Sequence, residues 1–359
     1  MGIRDPSTDN VVVSNYIGLD KDGEAVLGNG AVGVYIFLAA TDNTIGGTDP
    51  AARNVISGNS NGIILSGQGA ARNTIAGNYI GTDQSGEMIL GNRGDRGAGI
   101  LIDRGAHDNI IGGTDPGARN VISGNNHGVI IADLGPFTGT AGNVVAGNYI
   151  GTDKDGEAAL GNVNYGVLIE SGARDNIIGG TDPAARNVIS GNSSGGVEVN
   201  TLGNKIIGNF IDTDVSGTVA LGNGRNGIGV SGEANEIGGT ISGAGNIIAF
   251  NAWRGIALYF TAGTRNTILG NNIFENSSLG IDLGSNGPTP NDAGDGDSGP
   301  NNYQNFPDLT NAFISGSGDL RLTYSIDTDL VNATYPLTAE FFRADADDEE
   351  GQTFLARDT

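Results

Sequence analysis

A chain of 359 residues can bury a sizeable core, but one with 63 glycines, 10 prolines and no cysteine is not built like a helical enzyme. The absence of a strict triplet register excludes collagen, and 37% apolar residues at regular spacing exclude a disordered glycine-rich tract. A formal charge of −23, from 18 basic against 41 acidic residues, disfavours nucleic acid and anionic lipid as partners, and the missing cysteines remove disulfides, Cys-ligated zinc and thiol catalysis together.

Residues 1–8, opening Met1-Gly-Ile-Arg-Asp-Pro-Ser, read as a cloning remnant ahead of the folded chain. From Asp9 the segment DNVVVSNYIG aligns with RNTIAGNYIG at Arg72, so the repeat is entered in mid-unit and a capping element is expected upstream. Three phrases then recur: NVISGN at Asn54, Asn120 and Asn187, degenerate as NIIAFN at Asn246; NYIG at Asn15, Asn78 and Asn148, returning as NFID at Asn209; and IGGTDP at Ile45, Ile111 and Ile178. Within each long repeat a glycine followed by alternating aliphatics returns every 25 to 38 residues, from Gly33 to Gly280.

A unit of that size with three short strands and no helical period is one coil of a three-sided parallel β-helix, each strand pairing with its equivalent one coil away. The chain is therefore expected to be all-β, a right-handed β-helix of nine to ten coils over residues 9–285 and about 43 Å long. Alternation places Val34 and Ile36, Ile63 and Leu65, Ile100 and Ile102, and their counterparts in later coils, on the inward face. An asparagine column, Asn43, Asn73, Asn109, Asn143, Asn176, Asn204, Asn235 and Asn266, falls at the entry to the second strand, where side-chain amides can bond to one another and to the turns. Residues 286–305 form an acidic Gly/Asn/Asp-rich linker, and residues 306–359 read as four strands of a truncated β-sandwich-like segment.

The phrases NVISGN, IGTDKDGEAALGN and NIIGGTDPAARN resemble the pectin-lyase-like, right-handed β-helix repeat family of large exported bacterial polypeptides, over about Asn10 to Leu283. The segment from Asn291 is similar to the stretch that leads out of the helix in such proteins. The resemblance implies a secreted or cell-surface bacterial location and contact with carbohydrate or surfaces. The fold hosts lyases, hydrolases, epimerases, adhesins and plain spacers, so it assigns no chemistry by itself.

In such enzymes catalytic groups sit on the outer face of the first strand. Here the central outward column begins Tyr35, Ile64, Leu101, Ile130 and Leu168, an apolar stripe where a catalytic groove needs charge; long loops, a second chain or another domain are expected to cover it. The carboxylates that could serve a lyase or hydrolase are Glu170 and Glu198 in adjacent coils, with Asp103 two coils before Glu170, and Arg254 is a candidate base or sugar contact. Each has a plainer reading as a solvated or packed side chain. His107 and His127 are too few for a histidine metal centre.

Calcium is the cofactor the sequence can hold best, at Asp292, Asp295 and Asp297, with Asn301 and Asn302 completing the shell. The loops Asp20-Lys-Asp22-Gly-Glu24 and Asp153-Lys-Asp155-Gly-Glu157 alternate acids too, but the copy at Asp83 lacks the middle one, which favours turn chemistry. The acidic run from Asp345 to Glu350 reads as a solvated hairpin loop. Together these readings favour a non-catalytic extracellular rod or adhesin-type module that contacts polysaccharide or a surface protein. A polysaccharide lyase or hydrolase is the alternative, and a self-assembling protein joined through its stripe or uncapped coil ends is the third.

Overall fold

The computed structural model describes residues 1–333, 336–345 and 350–359. Strands follow one another in a fixed cycle through three parallel sheets of ten, nine and nine strands, so the chain winds as a three-sided β-helix. Among the described residues there is no α-helix, and none is long and apolar enough to cross a membrane. Pairing is in register with the sequence repeat: in the first sheet Ile100 lies between Ile63 and Val129, and Val197 between Val167 and Ile228. The expected inward residues are the core, with Ile36, Leu65, Ile102, Ile131 and Ile169 fully buried in one continuous cluster. Parallel strands of two to six residues cannot hold alone; stacking buries each coil's aliphatics between its neighbours.

Where one asparagine column is expected, there are three. The anticipated one runs from Asn10 to Asn266: each backbone N–H and side-chain amide donates to the Oδ1 of the next, as Asn109 does to Asn143 at 3.1 and 3.0 Å. A second runs Asn15, Asn54, Asn78, Asn120, Asn148, Asn187, Asn209, Asn246, Asn271 at the corner before the third strand. A third begins at Asn29, Asn59 and Asn92, at the corner after it. The spare amide hydrogen reaches a strand-end carbonyl, as from Asn148 to Ile111 at 2.9 Å, so each corner's backbone is satisfied without water.

Coils alternate in type. In one, Asp49, Asp115 or Asp182 caps a single 3₁₀ turn between second and third strands. In the next, the third strand opens into an acidic hairpin, where Asp20, Asp83, Asp153 or Asp214 accepts the backbone N–H groups four and five residues on. These bonds hold the Asp20 carboxyl below the usual range, and at Asp83 burial is outweighed by the Ser85 hydroxyl together with them, so the hairpin acids serve the turn. The arginine ending each 3₁₀ segment lies over the aromatic ring of the next coil: Arg53 on Tyr79 at 4.0 Å, Arg119 on Tyr149 at 4.2 Å, Arg186 on Phe210 at 4.0 Å.

At the start of the chain, Gly2–Arg4 runs as a strand paired with Tyr35–Phe37. The C-terminal segment forms two separate antiparallel pairs, Asp308–Ile314 with Leu320–Ser325 and Ala339–Ala344 with Gly351–Asp358. The second pair lies against Asn272–Phe274 in the last coil. There Glu350 accepts from the Asn276 backbone and side chain at 2.8 and 3.1 Å, and Glu340 from the Gly270 N–H at 2.7 Å. Asp345 and Glu350 are thus buried rather than solvated; Asp347, Asp348 and Glu349 lie outside the described residues.

Candidate functional site

The outer face of the first sheet holds the charged groups that the repeat does not require. Its apolar stripe is mostly closed over: Leu101, Ile130 and Leu168 are buried, packed with Ala132 and Ala98 beneath Leu134 and Tyr165 from the flanking loops. Only Tyr35 and Ile64 remain half-buried, so a long exposed stripe for self-association is absent here, the chain's own loops having filled it. Beside them opens a groove of about 620 Å³ lined by Tyr35, Ile64, Asp103, Arg96 and Arg104. Tyr35, which lines it, stacks on the Phe37 ring at 4.6 Å. Asp103 is 3% exposed with Oδ1 unpartnered, and burial raises its carboxyl against the pull of Ser66 and Arg104, 3.6 Å away.

Glu198 and Glu170 stand in adjacent coils, as expected, yet their hydrogen bonds run in opposite directions along the rod. Glu170 is bound 2.5 Å from Arg96, two coils back. Glu198 accepts from the Tyr259 hydroxyl at 3.2 Å, two coils ahead, and Asn226 donates to that hydroxyl at 3.1 Å. Gly229, directly between Glu198 and Ala257 in the column, makes this reach possible: a side chain there would overlap both the Glu198 carboxyl and the Tyr259 hydroxyl. Burial pushes Glu198 up to about 7, with Tyr259 and Arg225 opposing. Glu198 is therefore a carboxyl able to hold a proton near neutrality on this face, and Asp103 is a second one raised by burial.

No known protein family, curated protein or solved structure matches this chain.

Arg254 is committed to structure. Its Nε donates to the buried Asp282 and its Nη2 to the Ser285 carbonyl at 3.2 Å, which leaves Trp253 exposed beside it. His127 packs against Tyr165 with ring centroids 6.1 Å apart, and burial lowers its basicity; His107 bonds Asp108 at 2.8 Å.

The three aspartates after the helix do come together: ligand oxygens of Asp292, Asp295 and Asp297 lie within 4.8 Å of one another. Asn305 braces them, its N–H donating to Asp295 Oδ1 at 2.8 Å and its amide to the Asp292 and Asp327 carbonyls at 2.7 Å each. Asp292 Oδ1 and Asp297 Oδ1 are buried without partners, and desolvation followed by repulsion from Asp292 and Asp295 raises Asp297. Hard, mutually repelling oxygens with spare lone pairs suit calcium. Asn301 is not available to them: its Oδ1 accepts from the Asn266 N–H at 3.0 Å, ending the first ladder. Asn305, which sequence reasoning passed over, does the organising instead.

Proposed function

We propose that this chain is a non-catalytic, rigid module of a pectin-lyase-like repeat protein, exported by a bacterium and used to space or present surface-binding elements. The observation that carries the reading is the pair of asparagine ladders that pass unbroken through the rod. They tie every coil to the next by the same bonds, so what the sequence repeats is continuity rather than a site. The groove lined by Tyr35, whose ring is held by stacking on Phe37, supports contact with a polysaccharide there, since an aromatic face offers a sugar an apolar platform. Calcium at Asp292, Asp295 and Asp297 would stiffen the linker beside the last coil by cross-linking it to itself. The test is incubation with acidic and neutral polysaccharides in calcium, following new reducing ends and unsaturated uronates, with pull-down of uncut glycan. Retention without cleavage is expected.

One observation favours a second reading, a glycan-cleaving enzyme: the buried Glu198 carboxyl, held near neutrality beneath Tyr259. Cleavage in the same assay that is abolished by Glu198→Gln would establish it and overturn the rod.

A further inference from the structure

The third asparagine ladder is broken once. From Asn29 to Asn192 each backbone N–H meets the Oδ1 of the asparagine one coil on, and the link resumes from Asn251 to Asn276. Between Asn223 and Asn251 it fails: the Asn223 N–H goes to Asp212 Oδ1 at 2.7 Å. Position 212 belongs to the series Gly18, Gly81 and Gly151, where a Cβ would overlap the ladder amide of the next coil. Asp212 keeps the glycine's positive φ, 73°, and inserts its carboxyl into the place that the Asn251 oxygen would otherwise take. Both Asp212 and Asn251 are fully buried, and each is left with an unpartnered oxygen, Asp212 Oδ2 and Asn251 Oδ1.

The orientation of Asn251 is fixed from the far end of the ladder. The Asn276 amide nitrogen faces only acceptors, the Glu350 carboxylate and the Ile248 and Phe274 carbonyls. Its Oδ1 must then accept from Asn251, from the backbone N–H at 3.1 Å and from the side-chain amide at 2.6 Å. Turning the Asn251 amide over would set two oxygens against each other, so its carbonyl oxygen has to face the break. Two buried acceptors at one break need a donor between them, and within the chain only a proton carried by one of them supplies it.

We propose that Asp212 is a proton-bearing joint: its neutral carboxyl accepts from Asn223 through Oδ1 and donates Oδ2–H to Asn251 Oδ1, so the ladder is continuous only while that proton is bound. No charged or titratable side chain among the described residues faces it. The preceding coil offers the Ile189 carbonyl, which accepts the Asp212 N–H, and Ser190, whose hydroxyl goes to Thr213; the following coil offers Phe250 and Asn251. Asp214, two residues on, turns its carboxylate into its own hairpin, toward Ser216 and the Val219 N–H. Complete burial with only the Asn223 N–H in opposition accordingly raises Asp212 well above the carboxylate range.

A raised acid contributes its full stability below the unfolded-state value and loses it as pH rises toward the folded value, by about tenfold in the folding equilibrium per pH unit. Thermal melts of wild type, Asp212→Asn and Asp212→Gly across pH 4 to 8 test this, together with the infrared carbonyl stretch of a protonated carboxyl at neutral pH, read as the difference between wild type and variant so that the contribution of Glu198 cancels. Asparagine can make both bonds without a titrating proton, and glycine restores the sequence of the other coils. The expected result is a protonated-carboxyl band that Asp212→Asn removes, and variants that gain on wild type steadily as pH rises. Absence of the band from that difference at neutral pH, or melts that move in parallel at every pH, would overturn the proposal; should one variant fail to fold, the difference spectrum and melts of the other still decide.

Discussion

At Gly151 the chain turns with φ +91°, and a methyl group there would overlap the Ser190 carbonyl oxygen. Gly151→Ala meets a steric and a conformational penalty together and should cost more than about 3 kcal/mol, read from urea unfolding. Glu198 tests electrostatics instead. Its carboxyl titrates near 7 in the fold against 4.5 for the free group, so wild type should lose stability as pH rises between those values, by on the order of 3 kcal/mol, while Glu198→Gln stays level. Parallel pH profiles for the two proteins would show that the carboxyl is solvated. The inward aliphatics were legible from alternation alone, because strand side chains have nowhere else to point. The partner of Glu198 was not: Tyr259 lies two coils away, and a glycine between them, a residue with no side chain to read, creates the contact.

Among elements, the ladders decide how coils hold. Asn148 donates to the Ile111 and Ala146 carbonyls and to Asn187 while accepting from Asn120, all buried. Asn148→Ala strands several of these groups and should cost roughly 3–5 kcal/mol. Asn15, exposed at the end of the same ladder, should cost under about 1 kcal/mol when replaced, and equal losses would mean that the ladder is not the source. Only one of three columns was evident from spacing, although both asparagines of NVISGN belong to the other two. The second follows loops of unequal length and keeps no constant interval, 42 residues from Asn78 to Asn120 and 28 from there to Asn148. The third is spaced as evenly as the first but alternates between the phrases LGN and SGN, which read as separate repeats. The acidic hairpins were legible as turns because their copy at Asp83 dispenses with the middle acid.

The whole molecule behaves as a one-dimensional stack, in which each coil answers to its neighbours and the last coil to the hairpin that closes it. Removing the carboxylate of Glu350 by Glu350→Ala leaves the Asn276 backbone N–H without its acceptor. Hydrogen exchange should then quicken in the final coil and remain slow around Ile131. Uniform acceleration would instead mean that the rod opens all at once. Calcium should raise the melting temperature of wild type and leave a triple Asp292→Asn, Asp295→Asn, Asp297→Asn variant unchanged; equal response from both would rule those aspartates out. The four C-terminal strands were legible, but their separation into two pairs was not, since strand signals carry no record of which partner each finds.

The alternation of coil types also bears on how such a chain can change in length. Acidic hairpins touch across two coils, Lys154 N–H to the Gly86 carbonyl at 3.2 Å and Val215 N–H to the Gly156 carbonyl at 2.9 Å, and the 3₁₀ segments pack so closely at Thr48 and Gly117 that a side chain at Gly117 would overlap the Thr48 carbonyl. Excising residues 54–119 would join Arg53 to Asn120 and recreate every one of these junctions, whereas excising residues 54–77 would set two 3₁₀ segments on consecutive coils. Genetic exchange between the repeats can therefore lengthen or shorten the protein only in steps of two coils, and the lineage of such genes should record even differences.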